Sequence, residues 1–253
     1  MIISVNNFAS KSIPDTDLQV AIRSINRQIS YDFAPYWSLG AQLRLEGCSG
    51  SKPHKQAPVD MRGDAVIYIY DEIDVSDALG YHDQNHRGIP YGFVFPRISK
   101  QAGENWTATL SHEALELIAD PEANLYVRGP HPSETRNVFY WYEMCDPVQA
   151  ETYPIDGIEV SNFVLPLYFT SSEERGGRND FLNRNHGGKT LRSFGVNPGA
   201  YIGYFDPKND QDVTFFAPDD AVAGKRKKAK AAMELAQRAA RYHAKAAKAG
   251  GKQ

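Results

Sequence analysis

Cysteine is scarce in this sequence: Cys48 and Cys145 are the only two among 253 residues. Two thiols cannot make the disulfide framework on which small secreted folds rely, so a reducing compartment is the default and stability has to come from apolar burial. No stretch approaches the roughly 18 consecutive apolar residues of a membrane-spanning helix. The opening MIISVNNFASKSIPD has no basic region leading into an apolar run of signal-peptide length, which gives a cytoplasmic or virion-associated expectation. Neither G-x-G-x-x-G nor a P-loop spacing occurs, so no phosphate-cradling glycine loop is implied. Ser111 lacks the glycine-flanked context of a nucleophile elbow. There are no internal repeats.

What is present is an ordinary apolar and charged content, 42% and 23%, with 11% aromatic residues, enough for a substantial core. The net charge of −3 conceals an asymmetry. From Gly224 onward ten Lys/Arg face one acid, Glu234, a net +9 that leaves −12 for the rest. This Ala/Lys-rich tail favours helix but buries little. It reads as a solvated helical extension or as an electrostatic arm for nucleic acid, a membrane surface or an acidic partner.

Periodicity predicts the order of elements. A short strand at 2–5 precedes a helix that starts at Pro14-Asp15-Thr16 and carries Leu18, Ile22, Ile25 and Ile29 on one face. A turn at Pro35 leads to a strand at 41–46, and 47–62 is loop-like. AVIYIY at 65–70 is a strong strand, GYHDQNHRG reads as loop, and IPYGFVF at 89–95 as another strand. A helix follows over Trp106–Ala119, stopped by Pro121. Strands are expected at 137–144, an extended segment at 160–169, and a terminal hairpin from GAYIGYFD and VTFFA, with polar loop at 171–190.

The Trp106–Ala119 helix contains SHEALELIAD. On a helical wheel His112, Glu116, Asp120 and Glu113 share one quadrant, opposite Leu110, Ala114, Leu117 and Ile118. Such a quadrant is either a solvated face or a site. His112 and Glu116, one turn apart, can grip one cation, and a Glu directly after the His is the general base of H-E-x-x-H enzymes. The fourth position is Glu116 here, giving H-E-x-x-E.

SHEALELIADP, followed by YWYEMCDPV, resembles a group of zincin-like bacterial and phage proteins that carry H-E-x-x-E-x-x-x-D-P and a downstream acidic motif. DFAPYW, ALGYHD, IPYGFVF, IDGIEVSNFVLPLYF and NPGAY are similar to that group as well, over about residues 15–205. The resemblance implies an α+β fold whose core has a backing helix, a small twisted mixed sheet with its last strand edging a cleft, and an active-site helix.

The expected division is a metal-binding core at 1–150, a β-rich extension at 151–222 packed on it, and the basic tail at 223–253. The expected site holds one divalent metal, zinc in the first instance, on His112, Glu116 and a third ligand from EMCD. Asp146 is favoured, at a strand end before Pro147, with Glu143 next. Oxygen donors also admit manganese, iron or calcium. Glu113 would take a proton from the activated water and deliver it to the leaving amine. His82 is a further candidate ligand or donor. Asp120 either orients His112 or caps the loop after the helix, the second being commoner for Asp before Pro. Cys145 reads as a small buried residue. The expected function is metal-dependent hydrolysis, with a peptide or protein substrate docking along strand 89–95. The rival is a non-catalytic structural or binding protein, such as a virion component, whose tail contacts nucleic acid or a partner.

Overall fold

The computed structural model describes residues 1–53, 58–72, 79–170 and 176–217. The basic tail lies outside the described residues. The chain starts with β1 (Ile2–Asn7) and crosses through α1 (Asp15–Arg27), a π-helical turn (Gln28–Phe33) and the short α2 (Ala34–Trp37) to β2 (Gln42–Glu46). β3 (Ala65–Ile69), β4 (Gly80–Gln84) and β5 (Pro90–Val94) complete a five-stranded sheet in the order β2-β1-β3-β5-β4. β2, β1, β3 and β5 are parallel; β4 alone runs antiparallel, paired with β5. β1 is buried at every position from Ile3 to Asn7 and β3 along its whole length, as a sheet covered on both faces requires.

Alternation along the strands sorts the side chains. Ile3, Val5, Ile67 and Ile69 join Leu18, Ile22 and Ile25 of α1 and the apolar residues of α4 (Trp106–Ala119) in the main core. Val66, Tyr68, Tyr81, Tyr91 and Phe93 face the other way into an aromatic cluster. Between β5 and α4 lies α3 (Pro96–Ala102). Asn105 caps α4, its side chain accepting from the amide of Thr107.

Beyond α4 come β6 (Tyr126–Pro130), β7 (Asn137–Trp141), the hairpin β8 (Thr152–Ile155) and β9 (Ile158–Ser161), and the closing hairpin β10 (Tyr201–Asp206) and β11 (Gln211–Phe216). β11-β10-β7-β6 form an antiparallel sheet that takes two strands from either side of residue 150. Val160, Phe163, Val164 and Tyr168 belong to the same core as α1 and α4, so the β-rich half packs on the first. The fold is α+β.

Three sequence expectations are corrected. GYHDQ is strand β4, not loop. Consequently 90–94 is an interior strand, between β3 and β4, and the docking edge expected there belongs to β4. The segment 160–169 is not continuously extended: it leaves β9 and ends in a 3-10 turn at Pro166–Phe169.

Candidate metal centre

α4 has no solvated face. Every residue from Ser111 to Asp120 is buried, including His112, Glu113 and Glu116 at 3%, 1% and 3% exposure. The helix lies against β4, β5, α3 and β9. Its azimuth is set by a polar clamp. Gln28, at the start of the π-helical turn, accepts from Ser111 Oγ (2.6 Å) and donates to the carbonyl of Ser161 (2.7 Å). Ser111 Oγ in turn accepts from the Ser161 amide (3.1 Å). Ser111 therefore positions the neighbouring histidine and takes no part as a nucleophile.

His112 Nε2 faces Glu116 Oε2 at 3.0 Å and Asp146 Oδ1 at 3.3 Å. Each of these two separations is close to the roughly 3.3 Å edge of a tetrahedron whose ligands lie about 2.0–2.1 Å from its centre; the trio around His112 and Glu116 whose atoms all lie within 4.8 Å of one another takes Cys145, not Asp146, as its third member. Asp146 opens a 3-10 turn (Asp146–Val148) immediately after β7 and its loop, and is 2% exposed. Glu116 Oε1 accepts from the Cys145 amide (3.0 Å), which ties α4 to the EMCD segment. Burial pushes the Glu116 carboxyl up, but the charge and hydrogen bond of His112, with His82 and the Cys145 amide, outweigh it and hold it below the usual carboxylate range.

β4 supplies His82, the further candidate ligand or donor of the sequence reading. His82 alternates away from Tyr81, out of the aromatic cluster and toward α4. Its Nδ1 lies 3.6 Å from Glu113 Oε2 and 3.8 Å from Glu116 Oε2, and its Nε2 lies 3.8 Å from Glu143 Oε2. Two trios of potential ligand atoms, each mutually within 4.8 Å, result among the described residues: His112, Glu116 and Cys145; and His82, Glu116 and Glu143. Glu116 is common to both. His82 Nε2 and Glu113 Oε1 are buried without a hydrogen-bond partner among the described residues. Gly80 makes the approach of β4 possible: a Cβ there would fall 2.9 Å from Glu113 Oε1 and 2.8 Å from the carbonyl of Phe93.

The remaining candidates separate cleanly. Asp120 caps the loop after α4, accepting from the amides of Asn124 (3.1 Å) and Leu125 (2.9 Å). Both cysteines are free. Burial, followed by the nearby Glu116 charge, raises the Cys145 thiol well above its ordinary value. His86, four residues after His82, is exposed in the β4–β5 turn. A small cleft, walled by Tyr140, Trp141, Tyr168, Phe169 and Ile202, reaches Glu143 and Asp146. The sequence reading did not find this approach, because its walls come from three separated segments.

The donor set fits a divalent cation. It offers two imidazoles and four carboxylates, with acceptors facing one another in a buried space. Comparison of the chain with family models, curated proteins and solved structures gives no match.

Proposed function

We infer that this protein is a metal-dependent hydrolase of zincin-like character, with a peptide or protein amide as the substrate. The observation that carries the reading is the buried His112 of α4, its Nε2 3.0 Å from Glu116 and 3.3 Å from Asp146 of the EMCD segment, with Glu113 on the same helix. The parallel sheet with one antiparallel edge strand, set against the helix that bears H-E-x-x-E, also supports it. A divalent ion on His112, Glu116 and Asp146, zinc in the first instance, supplies Lewis acidity and an acidified water.

The chain's own residues do the rest. Glu116 Oε1 is fixed by the Cys145 amide, which leaves Oε2 directed at His112 and the site centre. Glu113, buried and with Oε1 unengaged, is the proton acceptor and later returns the proton to the leaving amine. Glu143 and Asp146 are buried beside the aromatic cleft, and burial strengthens electrostatic interactions at the site. The oxygen-rich donor set holds more negative charge than three histidines do, and this favours harder ions such as Mn²⁺ alongside Zn²⁺.

The test is metal content and hydrolysis together. Elemental mass spectrometry of the wild type should find bound divalent metal, reduced in His112→Ala and Asp146→Ala. A peptide-library cleavage assay should then show turnover that Glu113→Gln abolishes while its metal is retained. Metal without any Glu113-dependent turnover would leave a structural metal protein, the non-catalytic reading. No metal after incubation with Zn²⁺ or Mn²⁺ would refute the site.

A further inference from the structure

A single dication does not account for this cluster. Glu113, Glu116, Glu143 and Asp146 are all buried, at 1%, 3%, 6% and 2% exposure. Two imidazoles and four carboxylates offer more donors than one four-coordinate ion takes up. The donors also group by contact. His112 Nε2 faces Glu116 and Asp146, whereas His82 and Glu143 form their own trio with Glu116 at mutual separations within 4.8 Å. His82 is 6% exposed, and its Nε2, aimed at Glu143 Oε2 across 3.8 Å, has no hydrogen-bond partner among the described residues.

We propose that the site binds two divalent cations, the second held by His82 and Glu143 and sharing Glu116 with the first. The inference rests on the metal reading of this site and deepens it. Each ion then has an imidazole and a carboxylate of its own, His112 with Asp146 and His82 with Glu143, and Glu116 serves both. A second ion also explains why β4 brings a histidine against α4 at a point where Gly80 removes every obstacle. Glu113 needs no place in either coordination sphere: it stays beside the pair as proton acceptor, 3.6 Å from His82. Two-metal sites clamp the attacking and leaving groups of hydrolytic displacements, so the chemistry remains that of a hydrolase.

The experiment is metal stoichiometry by elemental mass spectrometry on the full chain, loaded separately with Zn²⁺ and with Mn²⁺ and freed of excess. The wild type should carry two ions per chain. His82→Gln and Glu143→Gln should each carry one, His112→Ala should carry one, and Glu116→Gln should fall below one. Glu143 borders the cleft, so Glu143→Gln tests the second ion even if His82→Gln fails to fold, with circular dichroism as the check. In the Mn²⁺ form, electron paramagnetic resonance should show exchange coupling in the wild type and an isolated-ion spectrum in Glu143→Gln. One ion in the wild type, unchanged in His82→Gln and Glu143→Gln but lost in His112→Ala, would overturn the pair and leave the single-metal site standing. No ion in any form would overturn both readings.

Discussion

Two buried polar clusters lie in this molecule, and they are built in opposite ways. Glu151, 2% exposed, has donors at both carboxylate oxygens: Oε1 contacts His186 Nε2 (2.8 Å) and accepts from Asn197 Nδ2 (2.6 Å), and Oε2 accepts from Asn162 Nδ2 (2.9 Å). Asn162 also reaches Asp180, and its own oxygen accepts from the amides of Phe163 and Leu182. This network stitches the loop before β10 onto the core with the chain's own donors. Around Glu116, carboxylates gather about two imidazoles, and His82 Nε2 and Glu113 Oε1 have no hydrogen-bond partner among the described residues. A cluster that the chain completes is structural. One that it leaves rich in acceptors calls for a cation from outside.

The comparison is broken or sharpened first by Glu113→Gln. Loss of a general base should lower hydrolysis by about 10²- to 10⁴-fold, with metal content unchanged; equal loss of metal and activity would make Glu113 a ligand instead. Next is Glu151→Ala, which strands donors in the structural cluster and should cost about 2–4 kcal/mol in chemical denaturation. It should leave metal binding untouched.

Removing the metal should act on the other cluster alone. An ion present at about 100 times its dissociation constant contributes roughly 2.7 kcal/mol, which a chelator should withdraw. In the metal-free protein the sign reverses: Glu143→Gln should raise the melting temperature above that of metal-free wild type, because it removes one of several like charges. A fall would show that the empty site is already satisfied by its own donors. Gly80→Ala comes next, forcing β4 from α4 at a cost of about 1–3 kcal/mol and lowering activity more than metal content.

The smallest effect concerns neither cluster. Asp206, at the end of β10, takes hydrogen bonds from Arg136 beside β7, and these hold its carboxyl below the ordinary 3.8. A depressed carboxylate stabilises the fold above its unfolded value and ceases to do so as pH falls through the folded one. Acid titration below about pH 4 should therefore loosen the four-stranded sheet, and Arg136→Ala should shift that onset upward.

Strong local signals were legible in advance. The α4 helix spans Trp106–Ala119 as its periodicity predicts, since the Asn105 cap and Pro121 bound it on either side. AVIYIY and the β10–β11 hairpin are also where β-branched and aromatic runs put them. GYHDQ failed because its glycine and polar residues imitate a loop. The overlooked sign was the Asn85–Gly88 turn, with Gly88 at φ 75°, joining it to β5. Wheel geometry likewise left the polar quadrant of α4 undecided, because a wheel carries no information about what packs against it.

The sequence by itself determined which residue types recur one helical turn apart at His112 and Glu116, and that acids follow near Asp146, because helical period is a local property. Only the tertiary structure decided that this quadrant is buried, that Asp120 caps a loop, and that His82 and Glu143 meet around Glu116. Those outcomes depend on the pairing of β4 with β5 and on the packing of the EMCD segment against α4. The contacts of α4 with His82 and with the EMCD segment join residues about 30 apart along the chain, and strand register and burial fix them where local periodicity cannot.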